Sequence, residues 1–572
     1  MTGNYRINAL NRNIILLLVT LSLLLSACQT LAPTQAPITD TPSTSTPVPT
    51  ATATQIPSPT PSPTAGPIKL NLSSELPDEL FAAIPTPVGV VLSSNPEEAD
   101  VIVEVVSDGN KYEIVRFQVY ALVAPFFTVQ DDISLTDLNS FLSGKAMQEE
   151  APFTKVYAKE PISLLQRLID PKNPKGVALQ SLTSNLSGIP DGSWMIVPFE
   201  ELQPEYKAIS IDSISPLDDN FDPSEYPLAL PIGVRLGNTD REIESELLSS
   251  LLPKTNFNPA QLTSLIMTGV TAMARDTAFV MSTEGALYPG TNIRKVMRAA
   301  DLTHISNEVS FFKDCPFPDP DYEGFIFCSD PEYIDLLADL GTDIVELTGN
   351  HNNDVRAIYK VDSVPYSLDL YHKYDMQWYA GGTDIANAKA PLKIEHNGNK
   401  LAFVGCNSYG PYMAWATVDS SGSAPCEDWE WIRQTIADLK QEGYLPIVTL
   451  QFQEEYLYTA TSTAIRDFRP LAEAGAVIVN GSQSHVGKAL EFYSDALIHY
   501  GLGNLFFDQP GFFITYDSFI QKHFFYQGQH ISTQLLTITV EDTAKPRFMT
   551  SDERAKFLQD IFDASLELRS TP

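Results

Sequence analysis

Basic residues are scarce in this chain. Its 572 residues include 37 Lys and Arg against 71 Asp and Glu, which gives a formal net charge of −34. So acidic a chain lacks the basic groove that nucleic-acid binding requires, and anionic lipid surfaces do not attract it. We therefore expect no nucleic-acid partner. The length allows two or three domains.

Cysteine is also rare. The chain has five cysteines and no Cys-x-x-Cys pair, which argues against a zinc site of that type. Besides Cys28, the four others can pair in three ways, and an even number is typical of disulfides in an oxidising compartment. We favour the pairs Cys315–Cys328 and Cys406–Cys426, because each closes a short local loop.

Beyond the N-terminus, no apolar run has the length of a transmembrane helix. At the start, two arginines precede the short apolar stretch Ile14–Leu25, and Ser-Ala-Cys28 follows. Residues 1–28 resemble a bacterial lipoprotein signal peptide with a lipobox. The resemblance implies cleavage before Cys28 and lipidation of its thiol, which would attach the protein to a membrane. An ordinary signal peptide with an incidental cysteine is the alternative.

Residues 29–66 are mostly Pro, Thr, Ser and Ala, with Asp40 as the one charged residue. This composition cannot bury a core, so we expect a semi-rigid, unfolded stalk. Signal, lipobox and stalk together predict a globular body held outside the cytoplasm on the cell membrane as a lipoprotein.

Residues 67–238 are predicted to form a smaller α/β domain. Val101–Val106 is a β-branched run typical of a strand, and Ser134 can cap a helix that extends to Leu142. The order of elements resembles the solute-binding domains of phosphate- and molybdate-type transporters. The Ser/Thr-Gly oxyanion loop of that family is not evident, so a working receptor and a retained scaffold both stay open. Residues 239–260 are predicted as a connecting helix and loop.

Strands and helices alternate over residues 261–542, which predicts a layered α/β fold, and residues 543–572 are predicted as a helical tail. Polar groups follow the predicted strands, at the end where ligands bind in open α/β sheets. These groups are Asn307-Glu308, Asn350-His351, Gln451–Glu455, Gly481–His485 and Tyr500–Asp508.

These motifs resemble the CapA (poly-γ-glutamate capsule synthesis) family, a branch of the calcineurin-like metallophosphoesterases. The resemblance implies an α/β/β/α sandwich and a role in capsule or exopolymer synthesis, anchoring or processing, with the capsule machinery or an envelope polymer as partner. The matching segments are Asn307-Glu308, Gly349-Asn350-His351, Tyr379–Gly382, Glu455-Tyr456, Gly481–Val486 in part, and Tyr500–Gln509.

The chain also departs from the family motifs, because Val270, Gln451 and Gln483 stand where the family has Asp, His and His. Neutral side chains weaken a two-metal site, which needs anionic and imidazole ligands. The surviving set would suffice for one Mn²⁺, Zn²⁺ or Mg²⁺, with Glu454 as an alternative to Glu455. The predicted metal ligands are Glu308, Asn350, His351, Glu455 and His485.

By the same resemblance, His351 or His485 would serve in catalysis, and Asn307, Asn504 and Arg275 would contact substrate. Whether the protein is an enzyme stays open at this point. One interpretation is a metal-dependent hydrolase of a phosphoester or amide bond. The other is a catalytically degenerate domain that binds an envelope polymer or a solute.

Overall fold

The computed structural model describes residues 66–568, apart from 77, 108, 146, 148–150, 160, 183–191, 321–323, 325 and 510. The predicted signal peptide, Cys28 and the stalk up to residue 65 lie outside the described residues. From Gly66 onward the chain forms one compact unit. Among the described residues, no helix combines the length and the apolar character needed to cross a membrane.

A mixed sheet organises the first part of the described chain. Its strands follow the order β2-β1-β3-β10-β4-β8-β6-β7, and β9 pairs with both β4 and β5. The strands are β1 Ile68–Leu72, β2 Val90–Leu92, β3 Val101–Val105, β4 Ile114–Pro125, β5 Asp132–Ile133, β6 Lys155–Ala158, β7 Gln180–Ser181, β8 Ser193–Pro198, β9 Tyr206–Ile211 and β10 Ala229–Leu236. The helices are α1 Asp78–Ala83, α2 Leu135–Leu142, α3 Ile162–Ile169 and α4 Ser245–Ser250.

The helix that was predicted to begin after Ser134 and to extend to Leu142 is α2, with Ser134 as its N-cap. The Ser134 side chain accepts a hydrogen bond of 2.9 Å from the backbone N–H of Asp137, which satisfies a free donor of the first turn. Within residues 239–260, predicted as a connecting helix and loop, the α-helix is limited to Ser245–Ser250. The chain after α4 instead runs along β4, where Gln118 Nε2 donates to the Lys254 carbonyl at 2.8 Å.

Two sheets build the second part. The first has the order β14-β13-β12-β11-β24-β25-β26, with β23 beside β11, and the second has the order β16-β17-β19-β20-β22-β21. The strands are β11 Leu262–Thr271, β12 Leu302–Asn307, β13 Ile344–Glu346, β14 Gln377–Tyr379, β15 Gly381–Gly382, β16 Leu392–His396, β17 Asn399–Asn407, β18 Gly422–Ser423, β19 Leu445–Gln451, β20 Ile478–Ser482, β21 Leu490–Tyr493, β22 Ala496–His499, β23 Asn504–Phe506, β24 Asp517–Tyr526, β25 Gln529–Glu541 and β26 Lys545–Phe548.

Helices cover the outer face of each sheet, and the last of them in the chain also reaches into the layer between the sheets. They are α5 Arg275–Glu284, α6 Arg294–Met297, α7 Ile334–Asp339, α8 Val355–Tyr359, α9 Val364–Lys373, α10 Ile385–Lys389, α11 Glu430–Gln441, α12 Ser462–Ala474 and α13 Ser551–Leu568.

Successive side chains of a strand point to opposite faces of its sheet. Apolar residues on both faces of the two sheets therefore form three layers, one between the sheets and one under the helices on each outer side. Leu265 and Met267 of β11 face the second sheet and pack with its Phe403, whereas Ile266 between them packs against α7 and α9. On the far side of the second sheet, Val448 packs against α11 and α12. The result is an α/β/β/α sandwich, so the predicted α/β fold class is confirmed.

The prediction of a helical tail over residues 543–572 is wrong at its start, where a strand precedes the helix. Lys545–Phe548 forms β26, which pairs antiparallel with β25 from Ile538 to Glu541. The helix α13 then packs Phe557 and Ile561 into the layer between the two sheets. The local sequence pattern could not predict this strand, because its pairing with β25, and not the preference of its own four residues, determines its conformation.

The two parts share a core. Phe524 and Tyr526 of β24 are buried in the same cluster as the apolar residues of the first sheet. Arg554 of α13 binds Asp131 of the first part at 2.8 Å. The first part is therefore packed onto the sandwich over an extensive contact surface.

Candidate functional site

A cavity of about 770 Å³ lies where the carboxyl ends of strands from both sheets of the sandwich meet. Here β13 and β20 end, and the polar loops that follow them supply its wall. The predicted site is therefore assembled at the sheet edge where ligands bind in such folds. The lining residues that bear on its chemistry are Arg275, Asp276, Phe327, Asn350, His351, Asp354, Tyr409, Glu454, Tyr456, Gln483, His485, Phe507, Asp508, Gln509 and Phe512.

Gln451 lies at the centre of a buried amide network behind this wall. Its Nε2 atom donates to Asn350 Oδ1 at 2.9 Å and to Glu308 Oε2 at 3.3 Å, and it also donates to Gln483 Oε1. The side chain of Gln451 is 0% exposed, and the other three residues are buried as well. An amide nitrogen thus occupies the point on which three ligand-type oxygens converge.

His351 is held by the acidic residue three positions further on. Its Nδ1 atom lies 2.6 Å from Asp354 Oδ2, and its Nε2 atom lies 3.8 Å from Glu308 Oε1. Burial alone would lower the pKa of His351, but the hydrogen bond to Asp354 and the charge of Glu308 raise the pKa above its usual value. The ring also packs against Phe327, with 4.5 Å between the ring centroids. His351 is therefore a positioned imidazole whose charged form is stabilised relative to that of a free imidazole.

His485 stands on the opposite wall. Its Nδ1 atom lies 2.9 Å from Asn504 Oδ1, and its ring stacks on Phe507 at 4.6 Å between centroids. Gln483 and His485 both adopt left-handed backbone conformations, with φ of 76° and 54°. Left-handed φ values at residues other than glycine cost free energy and cluster at functional sites. The strained turn aims both side chains into the cavity.

Arg275 closes the cavity at the start of α5. Its Nε and Nη2 atoms donate to Asp508 Oδ2 at 3.1 and 2.8 Å. Its guanidinium lies 5.2 Å from the ring centroid of Phe327 and 5.4 Å from that of Phe507. Burial raises the pKa of Asp508, and the charge of Arg275 opposes that effect. Arg275 is therefore fixed by an ion pair and two aromatic faces, with part of its surface left for a ligand.

Val270 has an apolar environment. It is 1% exposed and packs in a cluster with Val309, Phe327 and Phe507. The position where the family motif has a carboxylate is thus part of a small hydrophobic core.

Three predicted site residues have other roles in the structure. Asn307 does not line the cavity, because its Nδ2 atom donates to the Val309 carbonyl at 3.0 Å and to the Tyr371 hydroxyl at 2.7 Å. Asn504 braces His485 from behind. Glu455 bonds to buried Lys488 at 3.3 Å, and the neighbouring Glu454 lines the cavity instead. The placement of Glu455 as a ligand is therefore corrected to Glu454 as the wall residue.

Several wall residues escaped the sequence analysis. Asp354 could have been found, since it stands three residues after His351 in the same motif. Tyr456 belongs to the matched segment Glu455-Tyr456, although no role was predicted for it, whereas Phe327 and Phe512 carry no such signal because they come from loops that only the fold brings together. Tyr456 and Phe512 stack on each other at 5.0 Å between centroids and form one rim of the cavity.

The donor set does not fit a two-metal centre. Within the part of the chain that the structure describes, no three His, Cys, Asp or Glu side chains come together as a group able to hold a metal ion. Glu308 Oε2 accepts from an amide N–H while buried Oε1 has no hydrogen-bond partner among the residues that the structure describes, and the Nδ1 atoms of His351 and His485 are both occupied. Bridging two cations would require further anionic ligands, which Val270 and the two glutamines do not provide.

A buried acid lies beneath the site. Glu346, at the end of β13, is 2% exposed, and its Oε2 atom lies 3.8 Å from His304 Nε2. Burial raises the pKa of Glu346 to about 7 and lowers that of His304 to about 3. His304 Nε2 also lies 2.8 Å from the Tyr379 hydroxyl, so His304 has a structural role within its strand.

The structure joins both cysteine pairs favoured from the sequence. Cys315 is bonded to Cys328, and Cys406 is bonded to Cys426. The first disulfide stands next to Phe327 and so holds the loop that carries this wall residue. The second fixes the end of β17 to the loop before α11.

Comparison with known proteins agrees with these motifs. Residues 264–509 match the family model for the bacterial capsule synthesis protein PGA_cap. The PGA biosynthesis protein CapA of Bacillus subtilis (strain 168) is 24% identical over 275 residues, which cover 47% of this chain and 70% of that protein. The capsule biosynthesis protein CapA of Bacillus anthracis is 21% identical over 306 residues, 50% of this chain and 73% of that protein.

Among solved structures, an ABC-type phosphate transport receptor from Vibrio cholerae matches with 14% identity and a TM-score of 0.25, over 32% of this chain and 93% of the receptor. A likeness at that level supports no conclusion about ligand or activity, so the solute-binding resemblance of residues 67–238 stays a prediction. The sandwich is different, because motif, fold and sequence similarity coincide there. Residues 264–509 of this chain therefore form a domain of the bacterial capsule synthesis (PGA_cap, or CapA) family.

Proposed function

We propose that this protein acts in the biosynthesis of a capsule or related exopolymer, and that its cleft binds the polymer without two-metal hydrolysis. The two CapA relatives carry capsule or PGA biosynthesis in their names. The observation that carries the second half of the proposal is the amide of Gln451. It donates hydrogen bonds to the oxygens of Glu308, Asn350 and Gln483.

The physical reason is a competition for the same oxygens. A divalent cation would have to displace the N–H groups of Gln451 from these acceptors, and the freed amide would then be buried without a partner. A histidine at that position could turn a lone pair to the metal, whereas the Gln451 nitrogen that faces the three oxygens has no lone pair to donate. The apolar cluster around Val270 removes a further anionic ligand.

The same cavity is suited to holding a polymer segment. Arg275 presents a cationic edge, His351 presents an imidazole, and Tyr456 and Phe512 present aromatic surface. Because the lining combines apolar faces with a few fixed polar groups, it has the general character of a ligand site. A poly-γ-glutamate-type chain offers carboxylates to Arg275 and His351 and methylene groups to the rings.

Metal-dependent hydrolysis of a phosphoester or amide bond is the second candidate. The observation that favours it is the approach of His351 Nε2 to Glu308 Oε1, 3.8 Å apart, with His485 on the facing wall. These residues would be the ligands of a single Mn²⁺, Zn²⁺ or Mg²⁺, and His351 or His485 would be the acid-base group.

The experiment that separates the two candidates uses the purified full chain. We expect substoichiometric metal by elemental analysis, no phosphodiesterase turnover with Mn²⁺, and binding of poly-γ-glutamate that His351→Ala weakens. His372→Ala is the matched control, because His372 is exposed on α9, away from the cavity. Stoichiometric metal with turnover that is lost in His351→Ala would establish the hydrolase instead.

We also propose that the protein is anchored to the cell membrane by lipid on Cys28, with residues 29–66 as the stalk and the described body outside the cytoplasm. The support is the sequence pattern of residues 1–28. Cys28→Ser should move the protein from the membrane fraction to the soluble fraction and abolish incorporation of labelled fatty acid. Retention of the variant on membranes with unchanged labelling would contradict the anchor.

A further inference from the structure

A second cavity, of about 740 Å³, lies beside the first and shares Tyr409 with it. It is formed by the loop after β17, the segment before α11, and the start of α12. Besides a few charged residues, the side chains in this cavity that could stack on a ligand or hydrogen-bond to it are aromatic or uncharged polar. They are Asn407, Ser408, Tyr409, Tyr412, Trp415, Thr417, Trp429, Phe452, Gln453 and Thr463.

The aromatic residues are displayed rather than buried. Tyr412 is 74% exposed and Tyr409 is 46% exposed. Trp415 is held in place because its Nε1 atom donates to Asn407 Oδ1 at 3.1 Å, and the rings of Tyr412 and Trp415 lie 6.1 Å apart. Exposed aromatic rings that line a concave site are typical of a ligand-binding surface, since exposed rings add little to packing.

Trp429 adds an independent observation. It has a φ of 67°, a left-handed conformation that is an outlier for a bulky residue. The adjacent Cys406–Cys426 disulfide and a hydrogen bond of 2.9 Å from the Trp429 N–H to the Cys426 carbonyl maintain this geometry. Strain of this kind persists where the displayed side chain has a function. The indole lies 6.3 Å from the Phe452 ring, as part of the same lining.

The charges of the second cavity argue against a polyanion. Among its described lining residues, Arg466 is the cationic one, and Asp467 binds its guanidinium at 2.7 and 2.8 Å. Glu427 is paired with Lys389 at 2.8 Å. Two carboxylates stand in the wall, and the paired Arg466 is mostly exposed, so the second cavity does not offer a chain of carboxylates the partly buried guanidinium and imidazole of the first cavity. The same carboxylates, together with the concave shape, disfavour a lipid surface.

We propose that the second cavity binds a neutral glycan chain. The C–H faces of sugar rings would stack on Tyr412, Trp415 and Trp429, and the hydroxyl groups on the ring edges would bond to Thr417, Gln453 and Thr463. Because Tyr409 lines both cavities, a chain held here reaches the rim of the first cavity. The proposal goes beyond the proposed function and holds whether the first cavity binds or hydrolyses its ligand.

The test measures binding of neutral oligosaccharides, chitohexaose, cellohexaose and a dextran hexamer, by the purified full chain, followed by tryptophan fluorescence and calorimetry. Wild type should bind at least one of them, and Tyr412→Ala should weaken that binding about tenfold, the effect of losing one aromatic stacking contact. Gln453→Ala, which leaves the rings intact, should weaken it less. Phe317→Ala is the matched control, because this aromatic residue is 72% exposed and lies outside the second cavity.

Three results would overturn the proposal. The first is no binding of any of the three glycans by wild type. The second is binding that Tyr412→Ala and Phe317→Ala change equally. The third is a Tyr412-dependent association with poly-γ-glutamate or with neutral phosphatidylcholine vesicles instead of the glycans. The first-cavity variant His351→Ala should keep glycan binding, so failure of one proposal is distinguishable from failure of the other.

Discussion

Replacing Gln451 by leucine tests the central feature of the site, the amide that occupies the place of a metal ligand. Leucine has a similar volume but offers no N–H group. The variant Gln451→Leu would remove the partner of three acceptors on Glu308, Asn350 and Gln483. The perturbation therefore isolates the hydrogen bonds from the packing.

The magnitude follows from the burial of those acceptors. Glu308 is 1% exposed, so its carboxylate cannot regain water, whereas Asn350 and Gln483 line the cavity and can. Leaving a buried acceptor unsatisfied costs about 1–3 kcal/mol, and more when it is charged. We expect a loss of about 3 kcal/mol in the free energy of unfolding, nearly all of it from Glu308. For a compact unit of about 500 residues, with an unfolding entropy of about 2 cal/mol/K per residue, that corresponds to a fall in Tm of about 3 °C.

Thermal unfolding followed by circular dichroism measures the effect. Gln453→Leu is the matched control, because Gln453 is exposed two residues further along the same segment and should change the free energy by about 0.5 kcal/mol or less. If Gln451→Leu had the same Tm as this control, the amide would not be the partner that satisfies Glu308. The argument against a metal at this point would then fail.

Three further outcomes are expected. Gln451→Glu places a second carboxylate beside Glu308, so without metal the Tm of the variant should be lower than that of wild type. Addition of Mn²⁺ should raise the Tm of the variant by several degrees and leave the Tm of wild type unchanged. Between pH 4.5 and about 7 the folded chain keeps a proton on Glu346 that the unfolded chain has released, so the free energy of unfolding falls as pH rises through this window. The Tm of Glu346→Gln relative to wild type should therefore be higher at about pH 8 than at about pH 5. The same Tm difference at both pH values would contradict the raised pKa of Glu346. The disulfide Cys315–Cys328 is partly exposed, whereas Cys406–Cys426 is buried. Under graded reduction and alkylation followed by mass spectrometry, Cys315–Cys328 should therefore be reduced first. Reduction in the reverse order would contradict the argument from burial.

The α/β class, the strands of the sandwich and the edge where the site forms could all be predicted from local pattern. Buried strands such as Leu445–Gln451 are continuous apolar runs, and polar residues change the pattern where a strand ends. His351 and His485 were found in this way, because each follows its strand directly. Both disulfides followed from short sequence separation. Element boundaries and β26 were less predictable, since pairing with a neighbour decides them.

Other features could be decided only by tertiary structure. Sequence cannot show whether Glu454 or Glu455 faces the cavity; the salt bridge of Glu455 to Lys488 settles it in favour of Glu454. Nor can it show that Asn307 turns toward Tyr371.

By itself the sequence determined the family, the strand ends and the loss of charge at Val270, Gln451 and Gln483. Only the fold decided what those losses mean. It places the Gln451 amide among three oxygens from different strands and loops, and it surrounds Val270 with apolar side chains. The physical reason is that a site is a convergence of groups distant in sequence. Its net charge and hydrogen-bond balance are properties of the assembled edge and of none of its strands alone.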